Sequence, residues 1–159
     1  MTRPVTVETI RERMKEFGTA EQVRRNRIRI KTVPAKIHDA ITTSQAMLGF
    51  DRLITISTVD NGETFELLYH LIGPHRIIIS LSIDLPRDKP VTATVSDLLP
   101  PAGIYERQIH DLFGITFAGH PDLKKILLNE DWPENEFPLR KDWKPNPDVF
   151  YGGINVERI

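Results

Sequence analysis

The chain has 159 residues, 40% of them hydrophobic and 27% charged, with a formal net charge of -1 and no cysteine. That length suits one domain burying roughly two-thirds of its unfolded surface, and the near-neutral charge argues against a dedicated nucleic-acid binder. The missing cysteines exclude thiolate zinc sites, iron–sulfur ligation and disulfides together.

Val7, Ile10, Met14 and Phe17 recur at helical spacing behind Thr6, a good N-cap, and Gly18 closes the run. Residues 24–33 then alternate, Ile28 and Ile30 pointing one way and Arg27, Arg29 and Lys31 the other, which predicts a half-buried strand with a basic outer face. Pro34 opens a second helix carrying Ile37, Ile41 and Leu48 on one side, with Gly49 at its end. Two strands follow, over residues 53–59 and 64–72, around an Asn61-Gly62 hairpin signal. Gly73-Pro74-His75 turns the chain into a further strand over 76–83, where Ile77, Ile79, Leu81 and Ile83 share a face.

This order predicts an α/β (α+β) fold: a four-stranded mixed or antiparallel sheet with helices over one face. Nine of the twelve prolines lie between Pro86 and Pro147, so an irregular Pro-rich segment follows, with a short helix over 104–113 ended by Gly114. The expected organisation is an α/β core domain over 1–100, a signature segment over 101–143 (the short helix plus an irregular docking region) packed on it, and an extended tail over 144–159.

Charge is uneven. Residues 1–36 hold ten Lys/Arg against four Glu, residues 37–105 four against eight acids, and residues 106–143 five against eight. A solvated face is the simpler reading of the basic end. No run reaches the roughly 18 apolar residues of a membrane span. The start has no signal-peptide core, which leads us to expect a cytoplasmic chain able to sit beside a membrane by docking on a partner.

The candidate chemistry lies in the histidines, acids and rings. His110 and His120 lack the i,i+4 partner of a helical zinc site, and His38, His70 and His75 fall on separate elements. Glu106 and His110 are i,i+4 neighbours, as are Arg107 and Asp111, and both pairs read as helix support. A small-molecule enzyme using Glu106, His110 and Asp111 lacks a nearby nucleophile or oxyanion donor. Trp132, Phe137 and Trp143 stand among Glu130, Asp131, Glu134, Glu136 and Asp142, acids that would repel phosphates, so they suit a protein contact better than base stacking.

The ordered series Glu106-Arg107, Asp111-Leu112-Phe113-Gly114, His120-Pro121 with Leu123 to Leu127, Trp132, and Pro138-Leu139-Arg140-Lys141-Asp142 resembles the C-subunit family of respiratory complex I (NADH–quinone oxidoreductase). That family includes related subunits of membrane-bound energy-converting hydrogenases. Phe50-Asp51 and Tyr69-His70-Leu71 agree more loosely, and Gln108 departs from the family's usual glutamate. The resemblance implies a cofactor-free structural subunit of the hydrophilic arm of an ion-translocating oxidoreductase, without catalytic residues of its own. Iron–sulfur clusters and a quinone or nickel–iron site would belong to its partners. The implied partners are a large subunit related to the nickel–iron hydrogenase large chain and a small iron–sulfur subunit, with the membrane arm contacted indirectly at the cytoplasmic face. On this reading Glu106, Arg107, Asp111, Phe113, His120, Pro121, Trp132, Arg140, Lys141 and Asp142 form the partner interface.

Overall fold

The computed structural model describes residues 5–151. Its elements run α1 (Val7–Met14), β1 (Ala20–Arg24), β2 (Arg27–Lys31), α2 (Ile37–Leu48), β3 (Arg52–Asp60), β4 (Thr64–Ile72), β5 (Ile78–Pro86), β6 (Val91–Ala93), α3 (Ala102–Phe113) and β7 (Thr116–Ala118). β1 to β5 form a five-stranded sheet in the order β1-β2-β5-β4-β3, in which β2 and β5 run parallel and the other neighbours antiparallel. The sheet is therefore mixed, as expected, but has five strands where the sequence predicted four.

The extra strand is β1. Only its first residue, Ala20, is buried, while Glu21 to Arg24 are exposed. It shows no apolar alternation because backbone pairing to β2 is what holds it there. The strand predicted over 24–33 is thus the second arm of a hairpin that turns at Arg25-Asn26.

One face of the sheet is apolar over its three central strands, β2, β5 and β4. Ile28 and Ile30 of β2, Ile79, Leu81, Ile83 and Leu85 of β5, and Phe65, Leu67, Tyr69 and Leu71 of β4 pair across the strands and are all buried. Ile10 and Met14 of α1, Ile37, Ala40, Ile41 and Leu48 of α2, and Ala102 and Ile109 of α3 join the same core. The opposite face is polar. Arg29 pairs with Glu66, and Lys31 with Asp84 at 2.6 Å. His70 lies between Ser80 at 2.7 Å and Ser57 at 3.1 Å. The basic outer face read from Arg29 and Lys31 is therefore matched by acids two strands away or in the next strand.

The helix ends follow their residues. Thr6 caps α1 by accepting from the Thr9 N–H at 3.2 Å. Gly49 ends α2 in the left-handed conformation at φ 72. Gly18 is required for space instead: a Cβ there would stand 2.1 Å from the Lys31 carbonyl oxygen.

Beyond β5, residues 87–143 fold onto the helical side. β6 and β7 pair in parallel across α3, and the ladder is lengthened by Thr94 N–H to Ala118 O at 2.9 Å. Neither short strand was legible, since three residues carry too little periodicity.

Candidate docking surface

α3 is the spine of the segment. Gly114 ends it at φ 73, where its N–H bonds the His110 carbonyl. The polar residues of α3 reach sideways to other parts of the chain, and the two i,i+4 pairs expected within the helix do not form. A buried carboxylate needs donors, and backbone N–H groups meet that need better than a neighbouring side chain on the same helix.

Glu106 is fully buried. Its Oε1 accepts from the Val95 N–H at 2.8 Å and its Oε2 from the Thr94 hydroxyl. Burial pushes its pKa up, opposed by these two donors. The His120 ring, 3% exposed, lies 3.8 Å from Glu106, too far for a hydrogen bond. Its Nε2 donates to Gly103 O at 3.0 Å, while its Nδ1 accepts from the Asp122 N–H at 3.0 Å, so the ring carries its hydrogen on Nε2.

Asp111, 4% exposed, anchors the next stretch. Its Oδ2 accepts from the N–H groups of Ile126 at 2.7 Å, Leu127 at 2.9 Å and Leu128 at 3.3 Å. Arg107 grips the same loop from its other side, donating to the carbonyls of Lys124 and Lys125 at 3.0 Å each. The run Ile126-Leu127-Leu128 is therefore fastened by its backbone, and the Ile126 and Leu127 side chains remain exposed. His110 bonds through Nδ1 to the Ile115 carbonyl, at 2.8 Å. Glu106, His110 and Asp111 make no hydrogen bond to one another and serve three different backbone segments.

A second fastening closes the Pro138–Asp142 stretch. Asp60, at the end of β3, is buried and accepts from Arg87 and, at 2.8 Å, from the Lys141 N–H. The Arg87 hydrogen bond, then the two backbone N–H groups of Lys141 and Gly62, hold its carboxyl well below the usual carboxylate range against the opposing effect of burial. Arg87 also pairs with Asp142, whose side chain is 73% exposed, and lies 5.0 Å from the centre of the Phe65 ring. Arg140 stacks 4.5 Å from the centre of Phe137 and 5.2 Å from that of Phe65, and its Nε donates to Phe113 O at 2.7 Å. Phe113 meets Phe65 edge-on at 6.0 Å. A Cβ on Gly114 would lie 2.5 Å from the Phe137 ring and 2.8 Å from Arg140, so only glycine admits this closure.

The rings form a third group. Trp132, Trp143 and Tyr151 lie with centroids 4.8 to 6.0 Å apart around Glu136. Trp143 Nε1 and the Tyr151 hydroxyl both donate to the Glu136 carboxylate, at 2.9 and 2.7 Å, and Trp132 Nε1 donates to its backbone carbonyl at 2.9 Å. The tail thus folds back through residue 151; its remaining part, residues 152–159, lies outside the described residues.

Of the ten residues expected at a partner interface, Glu106 and Asp111 are buried inside the chain, and the His120 ring is enclosed as well. Phe113, Arg107, Trp132 and Arg140 are half-buried; Pro121, Lys141 and Asp142 are exposed. Asp60, Arg87 and Thr94, on which the arrangement depends, carried no signal in the sequence, because each partner lies tens of residues from the segment or in an irregular turn. No group of three or more His, Asp or Glu among the described residues is placed to hold a metal ion. No helix among them is long and apolar enough to cross a membrane.

Comparison with known proteins supplies the family. Residues 29–149, well over half of the chain, match the family described as respiratory-chain NADH dehydrogenase, 30 Kd subunit. The chain is 34% identical over 140 residues to the C subunit of F(420)H(2) dehydrogenase from Methanosarcina mazei, with 86% of each protein covered. It is 38% identical over 99 residues to the C subunit of NADH-quinone oxidoreductase from Moorella thermoacetica, with 60% of this chain and 66% of that one covered. It spans 45% of the corresponding NADH-quinone oxidoreductase protein of Novosphingobium aromaticivorans, at 32% identity. Among solved structures, it superposes on a chain of the membrane-bound sulfane sulfur reductase, an archaeal respiratory membrane complex, with TM-score 0.73, 26% identity and 86% and 84% of the two chains covered. The trypsin-resistant fragment of Nqo5 gives TM-score 0.64 at 26% identity, covering 73% of this chain and 97% of the fragment. With a polar-anchored helix, a mixed sheet and these matches together, the chain belongs to the 30 kDa, or C-subunit, family of respiratory-chain NADH dehydrogenases.

Proposed function

We propose that this chain is a cofactor-free structural subunit of the hydrophilic arm of a complex-I-type oxidoreductase. It docks on a large subunit related to the nickel–iron hydrogenase large chain and lies near a small iron–sulfur subunit, at the cytoplasmic face of the membrane. Its task is to hold neighbouring subunits, and so their redox centres, at fixed spacing. The observation that supports this reading is the use made of the polar residues of α3. Glu106, Arg107, His110 and Asp111 are each engaged with backbone groups of their own chain and make no hydrogen bond to one another. What that anchoring produces is an irregular loop surface of defined shape, bearing exposed Ile126, Leu127 and Leu139. Large interfaces of permanent complexes are built from such apolar residues framed by charge.

Relatives whose names carry different reductants or substrates, NADH, F(420)H(2) and sulfane sulfur, share this chain's family or fold. That favours a supporting role independent of the electron donor. It also motivates a second reading, in which the chain serves a membrane-bound energy-converting hydrogenase or a related ferredoxin-linked complex. Two Cys-x-x-Cys pairs in the partner large subunit would indicate a nickel–iron site and select the second reading.

Fractionation of native cells tests the proposal. The chain is expected in the membrane pellet and released by chaotrope together with other soluble subunits. Quantitative recovery in the untreated soluble fraction, as a monomer, would refute it.

A further inference from the structure

Arg140 is a half-buried cation that meets no carboxylate among the described residues, whereas Lys141 beside it is exposed to water. Arg87 takes both Asp60 and Asp142, and the Lys141 backbone takes the second oxygen of Asp60. The Arg140 Nε is used by Phe113 O and its faces by Phe65 and Phe137. Stacking and one carbonyl fix the plane of the guanidinium without neutralising it. Desolvation, followed by the neighbouring Arg87, disfavours its charged form. Within the closure Arg87 and Arg140 face Asp60 and Asp142, and because Arg87 takes both acids Arg140 is left without a salt bridge among the described residues.

Arg140 also lines a shallow cleft of about 170 Å³ with Asn135, Phe137, Asp142 and Trp143. A planar, pre-oriented guanidinium matches a carboxylate in two-point geometry, which an ammonium does not.

We infer that the cleft at Arg140 receives an acidic side chain, Asp or Glu, from the polypeptide on which this chain docks. The inference rests on the docking reading above and gives it a specific contact: the partner's carboxylate supplies the acidic partner that Asp60 and Asp142, both taken by Arg87, do not give Arg140. Arg140 is thereby a shared residue. It braces the segment internally through Phe113 O and reads the partner through the rest of its guanidinium.

The test is zero-length cross-linking in the assembled complex. Arg140→Lys places an amine in the cleft, and a water-soluble carbodiimide joins an amine to a carboxylate only where the two touch. In the purified complex the expected product is a covalent heterodimer, with mass spectrometry locating the bond between position 140 and an Asp or Glu of another subunit. A bond from position 140 only to Asp142, Glu136, Glu157 or the C-terminal carboxylate of this chain would overturn the inference, as would no bond in a complex shown to be intact. Recovery of the wild-type chain without partners would instead overturn the docking reading beneath it. Should Arg140→Lys prove unfolded, Arg140→Gln takes its place: co-expressed with a differently tagged wild-type chain, it is expected in the complex at least tenfold less often. Equal incorporation would overturn the inference.

Discussion

Replacing Asp111 by alanine probes the anchoring of the signature segment directly. Its Oδ2 receives two short hydrogen bonds, at 2.7 and 2.9 Å, and a weaker one at 3.3 Å, all from backbone N–H groups that have no other partner in the loop. A hydrogen bond to a charged group contributes about 1.5–3 kcal/mol, so two good ones and a weak third set an upper range well above 3 kcal/mol. Ile126 and Leu127 are exposed, however, and a freed loop can move its N–H groups into water. The smaller end is therefore expected, about 3 kcal/mol for Asp111→Ala. Asp111→Asn keeps one acceptor but sets an NH₂ where Oδ1 is buried without a partner, and is expected to cost about half as much. Urea denaturation followed by tryptophan fluorescence suits the measurement, since Trp132 and Trp143 both lie beyond the anchored loop. Amide exchange at residues 126–128 supplies the local readout. An Asp111→Ala chain within about 0.5 kcal/mol of wild type, with those amides equally protected, would refute the anchoring argument.

Gly114→Ala is expected to lose about 3 kcal/mol, combining a left-handed backbone with collision against Phe137 and Arg140; unchanged denaturation midpoints would contradict that geometry. Gly18→Ala meets the Lys31 carbonyl itself and should lower thermal stability by several degrees, whereas an unaffected Tm would show that α1 and β2 separate easily. Two of the buried acids, Asp60 and Glu106, have opposite pH signatures. Asp60, held below its unfolded value, stabilises above about pH 4, and that stabilisation fades as pH falls beneath it; Asp60→Asn should flatten the acid limb of the stability curve. Glu106, held above its unfolded value, contributes most at low pH and loses that contribution as pH rises from about 4.3 through its folded value. Glu106→Gln should therefore flatten the fall on the alkaline side of that range, and an unaltered profile would count against an ionisable carboxyl buried at this position.

The sheet was legible wherever one face met the core. Phe65, Leu67, Tyr69 and Leu71 opposite Leu85, Ile83, Leu81 and Ile79 are a period-two pattern that burial on one face imposes. β1 escaped because Glu21 to Arg24 bury nothing and are held by backbone bonds, which leave no trace in side-chain type. In the signature segment the residue types were informative but their direction was not. Glu106 and Asp111 look in sequence like members of helical ion pairs, yet their partners are the N–H groups of Val95 and residues 126–128. Nearly every residue can supply such a donor, so the pairing has no sequence signature. The irregular residues His75 and Arg76, both near φ 60, were hidden for a similar reason, since neither type demands that conformation.

The most direct test of the account is to purify the tagged chain from native membranes and determine what travels with it. The account predicts a stoichiometric assembly containing a hydrogenase-like large subunit and an iron–sulfur subunit, in which all iron is lost from this chain once it is separated from its partners. A chain that emerges alone, or that retains a redox centre or an enzymatic activity abolished by His110→Ala, would contradict it.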